Sequence, residues 1–323
     1  LKEILKIPSN LYIWKQLDPK RNYAECYSTS HLVSEWWNQL SEKCSMSGLD
    51  EIELNKIKSN IVNWLEKKGR IFFPLNILNI SKSYVDFLSS NSFLVIHENK
   101  ASFAHQSILD CFLADELFRK FYDEEKIINI IGTKDKQTPG KRYQVQMFLE
   151  RLLEYDSSDF LNAGQEIFES DEIRYFIKFV FLEVLNQVEI LDENIKGFIL
   201  DKCEDETYEK HLINSVLMDR PQYVSLLREK GFLDRWCKDS KKKEIVFNLL
   251  GSICPNYTSE DILFVQKNIF NSEKDDNQFA RCFPYDLNEG TDELFDLRML
   301  FYEKYPEKAD GYINLKSMMK NTE

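Results

Sequence analysis

Glycine and proline are scarce in this chain, at 10 and 8 of 323 residues. With so few turn-makers, a many-stranded sandwich or barrel fits poorly. Long helices with short connections are expected instead. Histidine is rarer still, with 4 copies. His31, His97 and His211 have no cysteine or carboxylate at ligand spacing, so no zinc site is expected. The seven cysteines, at 26, 44, 111, 203, 237, 254 and 282, form no C-x-x-C pair. Their scatter among apolar neighbours predicts buried thiols in a reducing cytoplasm rather than disulfides. No apolar run reaches the ~18 residues of a membrane span. Residues 176–185 come closest, and Lys178 and Glu183 interrupt them. The patterns G-x-x-x-x-G-K-[ST], G-x-G-x-x-G and G-x-S-x-G are all missing. Without a phosphate loop or a nucleophile elbow, no catalytic residue is assigned to this chain.

What is present is core. Hydrophobic residues make up 43%, with 23 Phe and 15 Tyr, enough apolar material to exclude disorder. The 54 acidic and 42 basic residues give a net charge of −12, which repels a polyanion and predicts no broad nucleic-acid surface.

The periodicity predicts a mainly α protein in three parts: a helical segment over 1–40, a winged helix over 41–120 and an irregular α-solenoid of helix pairs over 121–323. The chain opens at Leu1 within a helical pattern over 1–6, which predicts a piece of a longer protein. Pro8 suits a first helical turn, where its missing N–H costs nothing. Ser28 or Ser30 is an N-cap for a helix through Trp36, Trp37 and Leu40. A helix over 50–68 should stop at Gly69. A short strand over 70–74, a short helix capped by Ser81 and a hairpin over 93–105 follow. Helix, helix, strand, helix, hairpin is the order of a winged helix. Its candidate recognition helix, 81–90, carries only Lys82 and Asp86, too little for reading a DNA groove. Beyond it, helices are expected over 123–131, 143–154, 157–168 and 171–188 and onward, joined by short polar links. A basic loop spans 132–142, with Lys134, Lys136, Lys141 and Arg142. No strict repeat is visible. Acidic clusters such as Asp123-Glu124-Glu125 are expected at helix starts, where they complement the dipole.

The segment Phe103-Ala104-His105-Gln106-Ser107-Ile108-Leu109-Asp110 is the most informative. It joins the hairpin to an amphipathic helix whose apolar face is Phe103, Ile108, Leu109, Phe112, Leu113 and Leu117. His105, at the junction, has two readings: a half-buried ring bonded to a carbonyl, or a donor to an anion such as phosphate. The basic loop likewise reads as a solvated loop or as a phosphate or partner contact.

The stretch Leu5-Lys6-Ile7-Pro8-Ser9-Asn10-Leu11, the Trp36-Trp37 helix and the closing Phe103–Asp110 motif together resemble the back half of the NTPase core of STAND proteins. The similarity is to bacterial NACHT-like ATPases, including those of antiviral defence, and it covers about residues 1–190. Residues 137–161 and 172–185 resemble the start of the helical region that follows in that family.

The resemblance implies that ATP or ADP is clamped between a P-loop domain, a helical lid and the winged helix. Pro8 would pack near the adenine, and His105 would reach the ADP phosphate in the resting state. The P-loop and Walker B acids are not in this chain, so hydrolysis would need the chain's own N-terminal ATPase domain. The implied function is that of a cytoplasmic regulatory and sensor segment in signal transduction. Its helical repeats would recognise a trigger protein, and activation would bring homo-oligomerisation. A helical scaffold that binds protein partners without any nucleotide role is the alternative reading.

Overall fold

The computed structural model describes residues 4–23, 26, 28–76, 79–270, 282 and 291–304. Residues 1–3 of the expected first helix lie outside them. The described chain is mainly helical, with one small antiparallel sheet. It divides into two compact units, Leu1–Phe181 and Leu182–Glu323.

The first unit opens with a 3-10 turn, Ile4–Lys6, and α1 (Pro8–Trp14), with Pro8 in the first turn. α2 (Thr29–Met46) is capped by Ser28, whose hydroxyl accepts from the N–H of His31. α3 (Glu51–Lys68) starts at Asp50, which accepts from Ile52 N–H at 2.8 Å. It ends at Gly69, whose φ of 58° is a conformation that glycine reaches without strain. The strand expected over 70–74 is trimmed to β1 (Phe73–Pro74), because the Arg70 N–H turns back to the Leu65 carbonyl and closes α3.

α4 (Lys82–Ser90) leads into the hairpin β2 (Leu94–His97) and β3 (Lys100–Phe103). β3 lies between β1 and β2, with Phe73 opposite Ala101 and Leu94 opposite Phe103. α5 (Gln106–Tyr122) then runs through the middle of the unit, packing on α2, α3 and the two helices that follow: α6 (Ile127–Ile131) and α7 (Pro139–Tyr155). Ile108, Leu109, Phe112, Leu113 and Leu117 are all buried, as their spacing requires. Trp36, Trp37, Phe93, Phe103 and Phe112 form a connected aromatic cluster with centroids 5.0–6.0 Å apart. Burial of side chains this large stabilises by about 1.5–3 kcal/mol each. That cluster fixes the hairpin against α2 and α5 and so sets where α5 begins.

α5 continues to Tyr122, right up to the acidic cluster expected to open the next helix. Asp123 is therefore the C-cap of α5, and Glu124 has a φ of 60°. The helix expected over 123–131 shrinks to α6. α8 (Ser157–Glu169) is capped by Asp156, and α9 (Tyr175–Asn186) reaches into the second unit. α9 has twelve residues, and no helix of the described residues is long and apolar enough to cross a membrane.

The second unit holds α10 (Glu193–Lys202), α11 (Glu209–Leu212), α12 (Pro221–Glu229), α13 (Phe232–Lys238), α14 (Lys243–Ile253), α15 (Ser259–Val265) and α16 (Asp292–Lys304). Every second helix from α5 to α11 begins about 34 residues after the last, at Gln106, Pro139, Tyr175 and Glu209, and α14 continues the series at Lys243. Side-chain bonds follow that interval. In the first unit Gln144 bonds Asp110 and Gln137 bonds Arg174, at separations of 34 and 37. In the second, Arg220 bonds Asn186 at 34 and Arg228 bonds Asp261 at 33.

Lys58 on α3 carries a consequence for stability. Its ammonium lies 4.7 Å from the Trp37 ring centre and 4.9 Å from that of Phe112. Burial, aided by the charges of Arg119 and Arg151, pulls it from the ordinary lysine value down to about 8. Between that value and the unfolded lysine range, unfolding takes up a proton, so stability rises with pH there. Below it both states are charged and the full cost applies, at most on the order of 3 kcal/mol, offset by about 1–2 kcal/mol of cation–π attraction. Lys58→Met is expected to raise stability by about 1 kcal/mol near neutral pH and to flatten the alkaline rise. Urea denaturation from neutral to strongly alkaline pH checks both.

Candidate anion-binding cleft beside His105

His105 is the N-cap residue of α5. Its ring is exposed rather than half-buried, and it does not bond a carbonyl. Nδ1 accepts from the Ser107 N–H at 3.3 Å and lies 3.0 Å from the Ser107 hydroxyl. That places the proton of the neutral ring on Nε2, the nitrogen away from the cap. The arrangement follows from the local sequence. Phe103 and Ile108 are pulled into the core on either side, and His105-Gln106 are left at the surface where the strand becomes a helix. The ring therefore presents an N–H donor at the positive end of a 17-residue helix.

Pro8 is exposed at the start of α1, and no hydrogen bond among the described residues links it to His105. His97 is exposed beside the hairpin turn. His31 differs from its sequence reading: its Nε2 lies 3.1 Å from a carboxylate oxygen of Glu154, more than a hundred residues away. Among the described residues no group of three His, Cys, Asp or Glu side chains is placed to hold a metal ion. Cys111, on α5, is buried, and burial pushes its thiol up to about 12, so it is protonated and inert near neutral pH.

The residue after His105 borders a cleft of about 760 Å³. One wall is the last turn of α3 with Gly69 and Arg70. The second is the face of α5 bearing Gln106, Leu109, Asp110 and Leu113. The third is the end of α6, the following loop and the first turn of α7. Lys67, Lys68, Arg70, Lys120, Lys136 and Lys141 line it, against two carboxylates, Glu66 and Asp110. In a chain of net charge −12 this is a local inversion of sign. The basic loop singled out in the sequence thus meets the start of α5. Its Lys136, Gly140 and Lys141 share the cleft with Gln106 and Asp110.

At its floor Asp110, 7% exposed, accepts from the side-chain amides of Gln106 and Gln144, each at 3.2 Å to the same oxygen. Burial raises the Asp110 carboxyl above the usual range, while the two amides, Lys141 and His105 pull the other way. Gln144 is 8% exposed, and its Oε1 has no hydrogen-bond partner. Lys141 follows the Thr138 N-cap, whose hydroxyl accepts from the Lys141 N–H at 3.3 Å. Burial lowers the Lys141 ammonium, more than Glu66 and Asp110 can restore. No carboxylate of the described residues lies within ion-pair distance of it. A half-hidden cation that its neighbouring carboxylates compensate only in part, beside an unbonded carbonyl oxygen, can hold an anion that also brings a donor.

No protein-family model, curated protein or solved structure matches this chain.

Proposed function

We propose that this chain is the regulatory and sensor part of a STAND-class signalling ATPase. In the resting state His105 donates from Nε2 to a phosphate of ADP held by the protein's P-loop domain. The single observation that carries the reading is the state of His105: exposed, its Nδ1 engaged at the cap, its donor side turned outward at a helix N-terminus. The resemblance of the Phe103–Asp110 motif to the family supplies the ligand. The order helix, strand, helix, hairpin, with β1 pairing to β3, supports a winged helix ending at α5. The recurring helix pairs support a solenoid that recognises a trigger protein. The trigger would act by binding the open state more tightly than the closed one. ATP exchange and homo-oligomerisation would follow, as in the antiviral relatives that the motif resembles.

In the parent protein with its P-loop domain, His105→Ser is expected to raise the oligomeric fraction and the basal output without trigger. Serine keeps a capping oxygen for α5, so folding is preserved while the reaching ring is lost. If the variant stays monomeric and silent like the wild type, the reading fails.

A second reading, a protein-binding scaffold with no nucleotide role, draws on the same helix pairs. A G-x-x-x-x-G-K-[ST] motif between a strand and a helix, ahead of this segment in the parent protein, favours the first reading. Its absence there favours the second.

A further inference from the structure

We propose that the cleft between α3, α5 and α7 is a second ligand site, for a small molecule that carries two or more phosphates together with an N–H or O–H donor. The site goes beyond the ADP contact, because His105 is not among its lining residues. Three features point to phosphate. Six cations from four different elements converge on one concavity, and two carboxylates do not balance them. Lys141 is partly withdrawn from water, and Glu66 and Asp110 offset that burial only in part, a position that an anion would relieve. The first turn of α7, a 17-residue helix, adds its positive end on the same side.

A separate observation points to the donor. Gln144 is more than nine-tenths buried and lines the cleft, and its Oε1 is left without a partner. Asp110 fixes the other end of that amide, so the oxygen is oriented and cannot exchange roles with the nitrogen without losing the Asp110 bond. An inorganic phosphate chain would satisfy the lysines and leave Gln144 idle. A nucleotide or a phosphorylated polyol would satisfy both. The volume suits a ligand of that size.

The test is calorimetric titration of the 323-residue chain with tripolyphosphate, ATP and an inositol trisphosphate, which keeps three free hydroxyls. Saturable one-to-one binding is expected, with ATP or the inositol phosphate at least about tenfold tighter than tripolyphosphate, and which of the two is tighter identifies the source of the phosphates. Lys141→Gln and Lys67→Gln are each expected to weaken binding about tenfold, as the loss of one charged contact does. Lys82→Gln, at an exposed position of α4, is expected to leave it within about twofold. Gln144→Leu is expected to bring the donor-bearing ligand down to the level of tripolyphosphate. The proposal is overturned if no ligand binds, or if Lys82→Gln weakens binding as much as Lys141→Gln. It is also overturned if His105→Ser abolishes binding, since the cleft and the ADP contact would then be one site. Tighter binding of a glutamate-rich peptide than of any phosphate overturns it too.

Discussion

Arg228→Met is expected to destabilise the second unit by about 3–5 kcal/mol, the range for breaking a buried ion pair from one side. Asp261 has no exposed side-chain surface, and the Arg228 side chain is 11% exposed. The Arg228 guanidinium donates to Asp261 and, at 3.2 Å, to the Thr258 hydroxyl. The other carboxylate oxygen accepts from the Thr258 N–H at 2.9 Å and its hydroxyl at 2.8 Å, completing a capping box at the start of α15. Methionine fills the volume of arginine but leaves the carboxylate charged and without its cation. The double variant Arg228→Met with Asp261→Asn is expected to recover at least half of the loss, because a neutral amide can keep the cap. Urea denaturation of the four proteins of that cycle checks the claim. A loss under about 1 kcal/mol for Arg228→Met, the level of a solvent-exposed pair, would contradict it.

Gly164→Ala is expected to cost at least about 3 kcal/mol, the upper part of the range for overpacking a core. On helix propensity alone the same change would stabilise by roughly 0.5–1 kcal/mol, so the sign itself is the test. Gly164 sits on the buried face of α8, where the helix meets the ring of Phe181 on α9. An added Cβ would lie 2.7 Å from Phe181 Cγ and closer still to two other ring carbons. Phe181 has no exposed surface and stacks at 5.4 Å on Phe160, so its ring has no room to withdraw. Thermal denaturation should show a clear drop for Gly164→Ala and a recovery when Phe181→Leu is added. An increase in Tm for Gly164→Ala alone would mean that α8 and α9 do not pack this closely.

Elements governed by local rules were legible from the residues. The stop of α3 at Gly69, the Ser28 cap of α2, the hairpin turning at Glu98-Asn99 and the strand-to-helix junction at His105 each depend on neighbours within a few positions. Elements governed by tertiary packing were not. The aromatic end of α5, Phe118 to Tyr122, carries that helix up to Asp123, which caps it instead of opening the next one. Phe118 stacks on Tyr155 at 5.9 Å, and Tyr122 donates to Asp159 at 2.7 Å.

The cleft was half visible. The basic loop stood out as a run of lysines. Its counterpart, Lys67 and Lys68 at the end of α3, was not singled out in the sequence, and only the fold brings the two together across some seventy residues. The interval of about 34 residues was hidden because the positions that bond across it use different chemistry each time. Asp110 meets Gln144, Asn186 meets Arg220 and Arg228 meets Asp261, so no pairing of residue types recurs for a repeat search to find.

The most direct measurement of the central claim is the rate at which fluorescent ADP leaves the P-loop-containing protein proposed above, compared between wild type and His105→Ser. A donor to a phosphate is worth about 1.5–3 kcal/mol, so release is expected to be about 10- to 100-fold faster in the variant, with the melting temperature preserved by the serine cap. An unchanged release rate would show that the exposed imidazole at the head of α5 does not touch the nucleotide.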